Sequence, residues 1–136
     1  MDSLCAKCWA PNNLDWPWAK LHSTASEAAL AEALGDSDLD GRRFRSNVVI
    51  DRVEPFEELT WAGRRICVGD SEFKVLKPVT RCLATHANPA TGSRDRDVMG
   101  TLVGRFGQEK PQFAVMLQAV GTGGTVSLGD EARLLE

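Results

Sequence analysis

Residues 61–86 read WAGRRICVGDSEFKVLKPVTRCLATH, and this stretch decides the fold class. Trp61 to Val68 is a candidate strand, closed by the turn pair Gly69-Asp70. Phe73 and Val75 then alternate with Glu72 and Lys74, the period-two pattern of a half-buried strand. Val79 to His86 is a further candidate. Working outward, Val48-Val49-Ile50 is a short β-branched run. On the other side, Phe113 to Val120 and Thr125 to Leu128 read as strands joined in a hairpin by Gly121-Thr122-Gly123-Gly124. Gly129-Asp130 is a turn, and Arg133-Leu134-Leu135 suits a last short strand. Helical signals are few. Residues 24–34 are rich in Ala and Leu, Thr24 and Glu27 have capping-box spacing, and Gly35 stands at the stop position. Val98, Leu102 and Phe106 fall at helical spacing. Many short strands with regular turns and few helices imply a mostly-β barrel.

Residues 1–23 are expected to form an irregular arm, because Pro11, Pro17 and Asn12-Asn13 break regular structure. Trp9, Trp16 and Trp18 in it should bury, either by wrapping the domain or by covering a partner surface. The domain proper is expected over 24–136. At 136 residues the chain fits one domain and needs no covalent staple. Its net charge of -3 gives no global signal for nucleic acid. No apolar run reaches the roughly 18 residues of a membrane span, and no secretory signal is visible at the start. The expected setting is therefore cytoplasmic, with Cys5, Cys8, Cys67 and Cys82 reduced.

Four groups of residues could carry chemistry. Arg42-Arg43-Phe44-Arg45-Ser46-Asn47 places three guanidiniums and an amide before a strand, which suits an anion such as phosphate. The alternative is a solvated basic face balancing Asp36, Asp38 and Asp40. Thr80-Arg81-Cys82 places a thiol beside a cation, the setting in which a thiolate becomes a ligand or nucleophile. On a regular strand, however, Arg81 would point away from Cys82, and a buried structural cysteine is the competing reading. Cys5-Ala6-Lys7-Cys8 is half of a zinc knuckle, but no second half follows. His86 would share the face of Cys82 on a regular strand, yet about 13 Å away, so a structural role is expected for it.

Taken in order, these blocks resemble the molybdenum-cofactor sulfurase C-terminal (MOSC) domains. Arg43-Phe44-Arg45-Ser46-Asn47 followed by a strand, Pro55-Phe56-Glu57-Glu58, Lys77 to Thr85, Asn88 to Gly92 and Gly124 to Asp130 match successive family blocks from about residue 24 to the C-terminus. The resemblance is strongest to the amidoxime-reducing branch. It implies a MOSC-type β-barrel, with Cys82 as molybdenum ligand and catalytic residue. It also implies that Arg45 and Asn47 hold the phosphate end of a molybdopterin cofactor, and that Thr80 and Arg81 line it. Ser46 stands where the family has proline, Asn88 where it has aspartate, and Ala114 where it has glycine. That branch also carries an N-terminal β-domain, whereas about 20 residues precede the match here.

Three functions follow from the resemblance. The first is an oxidoreductase that reduces N-hydroxylated compounds at Cys82-ligated molybdenum, fed by an electron-donor protein. The second is a sulfur carrier with a Cys82 persulfide, loaded by a cysteine desulfurase, through which alone pyridoxal phosphate would enter. The third is a non-catalytic accessory domain that binds a partner through its tryptophan-rich arm. No nucleic acid or membrane partner is expected, and a homodimer is one arrangement that could complete a cofactor site.

Overall fold

The computed structural model describes residues 3–8, 18–121 and 126–135. Seven strands close into a barrel in the order β1-β3-β2-β6-β5-β4-β7, with β7 pairing back to β1. They are β1 (Ser3–Cys8), β2 (Trp18–Ser23), β3 (Val48–Ile50), β4 (Arg65–Val68), β5 (Ser71–Thr80), β6 (Gln112–Val120) and β7 (Glu131–Leu134). All neighbours are antiparallel except β2 and β3, which run parallel and are linked through helix α1 (Thr24–Leu34). A second helix, α2 (Val98–Phe106), precedes β6. The expected β-barrel with a few short helices is therefore present.

The barrel interior is filled by alternate residues of the strands. Leu21, Val48, Ile50, Ile66, Val68, Val75, Val115 and Leu117 are fully buried there, with Trp61 packed among them. Each contributes roughly 1.5–3 kcal/mol by leaving water. A second core lies where both helices meet the wall: Leu30, Phe44, Leu102 and Phe113 are fully buried. The Phe44 and Phe113 rings stack with centroids 3.9 Å apart.

Several local expectations change. The segment read as an irregular arm supplies β1 and β2, because its backbone finds long-range partners on β3, β6 and β7. Trp9, Trp16 and residues 122–125 of the expected hairpin lie outside the described residues. Val126 to Leu128 is not a strand: the Asp130 carboxylate accepts from the Ser127 N–H at 2.8 Å and makes a turn instead. The strand at Trp61 begins only at Arg65, because Arg64 N–H closes a turn onto the Trp61 carbonyl with Gly63 at φ 89°. The strand drawn from Val79 to His86 stops at Thr80 and gives way to a 3-10 turn over Leu83–His86. Thr85 drives that turn: its N–H and its hydroxyl both donate to the Cys82 carbonyl, at 3.2 and 2.9 Å.

Helix α1 has the expected span and ends on Gly35 at φ 68°. Its cap is Ser23, not Thr24: the Ser23 side chain accepts from Ser26 N–H. Glu27 does not close a capping box. Its carboxylate meets the buried His22 ring, with Nε2 at 2.8 Å, while His22 Nδ1 lies 2.7 Å from Ser46 Oγ. His86 is structural as expected, its Nε2 accepting from Met99 N–H at the start of α2. Among the described residues no helix is long and apolar enough to cross a membrane.

Ala114 sits at φ 73°, fully inside the second core, at the irregularity where β6 slips against β5. An L-residue there carries about 1–2 kcal/mol of strain. Ala114→Gly releases that strain, offset by a lost buried methyl of about 0.8 kcal/mol and by added chain entropy. Ala132→Gly on β7 is equally buried at an ordinary φ and has no strain to release. Urea denaturation should find Ala114→Gly within about 1 kcal/mol of wild type and Ala132→Gly clearly worse by a similar amount. Equal losses would mean that Ala114 is unstrained.

Candidate functional site

β5 ends at Thr80, and the next two residues leave the barrel wall in different directions. Arg81 turns inward and is 8% exposed. Its Nε donates to the Phe113 carbonyl at 2.7 Å and its Nη1 to the Phe44 carbonyl at 2.8 Å. It thereby ties β6 to the turn that carries Arg45. Its Nη2 is buried and has no hydrogen-bond partner among the described residues. Cys82 faces solvent. The concern that a strand would separate Arg81 from Cys82 lapses with the strand itself: Cys82 is near enough that a thiolate there would favour the charged form of Arg81.

Arg45 is exposed and held at φ 53° by the turn that ends at Phe44. The other two arginines of that block face away from this task. Arg42 clasps Asp40, with Nε 2.9 Å from Oδ2. Arg43 is buried and donates to the Thr85 carbonyl at 3.2 Å and to Asp95 at 3.3 Å. The balancing role thus accounts for Arg42, and Arg43 is an internal strut. Asn47 lies beside β2: its amide oxygen accepts from Lys20 N–H at 2.9 Å, and its own N–H donates to the Lys20 carbonyl at 2.8 Å. The asparagine therefore holds Lys20 in register. Thr80 is exposed at the rim.

Lys20 was missed in the sequence. It sits on β2 between the buried Ala19 and Leu21, so its side chain leaves the outer face of the barrel. Burial pushes its ammonium below the usual lysine range; Arg81 and Arg45 push it lower still, and Cys82 works against them. Lys20, Arg45, Arg81 and Cys82 thus form one electrostatic cluster from four parts of the chain. Lys20 has no signal of its own, being a single lysine in a segment that reads as irregular. Among the described residues neither Lys20 nor Arg45 has a carboxylate partner, and no group of three or more His, Cys, Asp or Glu side chains could hold a metal.

The arrangement is a cationic cradle with one exposed soft nucleophile. Burial holds the Lys20 ammonium below the usual lysine range, so it gives up its proton at a lower pH than a free lysine does. Arg81 keeps its charge, as guanidiniums do. An anion bound beside Lys20 favours its charged form, so binding must weaken as that proton leaves. Calorimetric titration with inorganic phosphate should show affinity that begins to fall with rising pH before the ordinary lysine range is reached, and Lys20→Gln should remove that fall. A fall unchanged in Lys20→Gln would remove Lys20 from the anion site.

Residues 20–133 match the MOSC domain family. The chain belongs to that family. Over 102 residues this MOSC domain is 34% identical to a molybdenum cofactor sulfurase of Anopheles gambiae, covering 68% of this chain and 13% of that protein. Over 75 residues it is 39% identical to a molybdenum cofactor sulfurase of Drosophila mojavensis, covering 55% and 9%. The chain thus spans a small fraction of the length of these curated relatives, which are named for cofactor sulfuration. Among solved structures, YiiM of Geobacillus stearothermophilus superposes with a TM-score of 0.60 at 14% identity, over 87% of this chain and 54% of that one. The YUAD protein of Bacillus subtilis gives 0.53 at 14%, over 85% and 62%. Identity this low speaks for the fold alone.

The MOSC family is associated with the molybdenum cofactor, and the residues present fit such a group. A buried guanidinium nitrogen without an acceptor among the described residues and a half-buried lysine crowded by two other cations both call for an anion. The exposed thiol beside them is a soft ligand of the kind such metals take.

Proposed function

We propose that this MOSC domain handles sulfur for a molybdenum-cofactor-type ligand, with Cys82 as the residue that carries it. The observation that supports this most is the solvent-facing Cys82 thiol in electrostatic contact with Arg81 and Lys20. Arg45, Arg81 and Lys20 would hold the anionic end of the ligand, Asn47 would keep Lys20 in place, and Thr80 would line the rim. The cofactor, when bound, supplies a metal centre that can take a sulfur ligand. The chain's own step precedes that. The Cys82 thiolate attacks the outer sulfur of a persulfide on a cysteine desulfurase. A new S–S bond forms at Cys82, and the donor's S–S bond breaks. The donor cysteine leaves as a thiolate and takes the proton the persulfide carried, so no electrons are gained or lost overall. Pyridoxal phosphate belongs to that desulfurase, on another chain or on another part of a longer one.

Incubation with a desulfurase and free cysteine should add the mass of one sulfur atom to the Cys82 peptide, reversible by a thiol reductant. No addition in the presence of an active desulfurase would overturn the reading. A second reading rests on the same thiol: Cys82 as a lasting molybdenum ligand in a reductase of N-hydroxylated compounds, supplied by an electron-donor protein. It requires molybdenum and pterin in protein purified from a cofactor-producing host, and their absence there would end it.

A further inference from the structure

Most of the chain's lysines gather on one outer face of the barrel. Lys20 on β2 pairs with Met116 on β6, and Met116 with Lys77 on β5. One row along, Gln118 on β6 pairs with Lys74 on β5, and Lys74 with Arg65 on β4. Residues paired across strands share a face. This face is outward, because Phe73, Val75, Val115 and Leu117 lie next to these residues in sequence and are buried in the core. Lys110 stands at its edge, lining one cleft with Lys77 and Met116. Lys7 is the one lysine elsewhere in the sequence.

The cations here are not balanced. Among the described residues Lys20, Lys74, Lys77 and Lys110 make no ion pair. The carboxylate that shares the face is Glu72, and Arg65 already engages it at 3.4 Å. Lys74 and Arg65 stand directly opposite each other, a pairing of like charges that costs stability. Elsewhere Arg42, Arg43 and Arg96 each meet an aspartate. In a chain of net charge -3, positive charge is thus concentrated on this one face. The face also leads to the thiol. β5 carries Lys74 and Lys77 and ends at Thr80, two residues before the exposed Cys82. Five residues of extended chain span at most about 18 Å. Lys77 and Cys82 therefore fit under one docked protein, whose footprint is about 800 Å².

We infer that this lysine face docks an acidic surface of the protein that delivers sulfur to Cys82. The inference rests on the sulfur-carrying reading of Cys82 and adds how the donor is recognised. Carboxylates of the partner pair the free lysines and offset the repulsion between Lys74 and Arg65. Such complementarity speeds encounter and fixes orientation more than it adds affinity. A nucleic acid is the poorer fit: its phosphates would meet the chain's net negative charge beyond the face, and it brings no sulfur.

The test compares two sulfur donors on the full chain, with loading of Cys82 read by peptide mass. One is an acidic cysteine desulfurase with free cysteine. The other is inorganic polysulfide, from which the Cys82 thiolate takes one sulfur and which leaves one atom shorter, with no protein surface involved. Lys74→Glu/Lys77→Glu should raise the half-saturating desulfurase concentration about tenfold and leave polysulfide loading unchanged. Raising the salt from 0.05 to 0.5 M should slow desulfurase loading of wild type and have little effect on the double variant. Lys74→Glu places opposite charges across from Arg65, so the variant should not unfold at lower urea than wild type. Arg133→Glu, on β7 two strands from β5, should change neither donor's loading. Desulfurase loading of the double variant at the wild-type concentration overturns the inference. So does an equal loss with both donors, since the lysines would then act on the thiol and not on a partner. A single-stranded oligonucleotide that blocks desulfurase loading of wild type but not of the residual loading in the double variant would make the face a nucleic-acid surface and overturn it as well. A wild-type Cys82 loaded by neither donor instead strikes the underlying sulfur-carrying reading.

Discussion

Cys82→Ser abolishes sulfur loading by a cysteine desulfurase and leaves the fold as stable as wild type. Loading should fall to nothing because a hydroxyl does not attack a persulfide sulfur at neutral pH, whereas a thiolate does. Stability should hold to within about 0.5 kcal/mol, because Cys82 is exposed and its side chain makes no hydrogen bond among the described residues. The control is Cys67→Ser. Cys67 is half-buried on β4, its Sγ donating to Glu72 at 4.0 Å, and it lies away from the cationic cluster. Intact-mass and peptide-mass measurements should therefore find full loading in Cys67→Ser and none in Cys82→Ser. Loading that persists in Cys82→Ser would move the sulfur site to another cysteine.

The largest stability loss is expected at Glu58. Its carboxylate is fully buried and accepts from Ser23 N–H at 2.7 Å, Ser23 Oγ at 3.1 Å and Ser26 Oγ at 2.9 Å. Ser26 Oγ in turn accepts from Phe56 N–H at 2.7 Å, so the network joins the start of α1 to the turn before β4. A negative charge at a helix start is also favoured by the helix dipole. Glu58→Ala strands these donors in the interior and leaves a cavity, which costs about 3–5 kcal/mol. Glu58→Gln keeps the shape but turns one acceptor into a donor, which costs about 1–3 kcal/mol. Urea denaturation should rank wild type, Glu58→Gln and Glu58→Ala in that order with unchanged slopes. A loss under about 1 kcal/mol for Glu58→Ala would mean that the serines find other acceptors.

The site was partly legible in the sequence. Cys82 and Arg45 stand out through residue type and ordered blocks. Arg81 stands out too, but as a surface neighbour, whereas it is a buried tie between Phe113 and Phe44. Asn47 draws attention as a phosphate ligand, whereas its amide oxygen serves the backbone of Lys20. Lys20 drew none, since a lone lysine among alternating residues looks like any exposed position. Glu58 likewise reads as one acid in an acidic turn until Ser23 and Ser26 come to surround it.

By itself the sequence determined the fold class, the helices at 24–34 and 98–106, and the position of the thiol proposed to carry sulfur. Those follow from local signals: strand periodicity, a glycine stop after Leu34, and a cysteine set in a recognisable block. The tertiary structure alone decided the strand order, the recruitment of residues 3–8 and 18–23 into the wall, and the end of β5 at Thr80. The physical reason is separation along the chain. β1 pairs with β7 across about 130 residues and β2 with β6 across about a hundred, and nothing in a short window encodes which distant edge will accept a strand's hydrogen bonds. The cationic cluster depends on those pairings, because only barrel closure brings Lys20 to Arg45, Arg81 and Cys82.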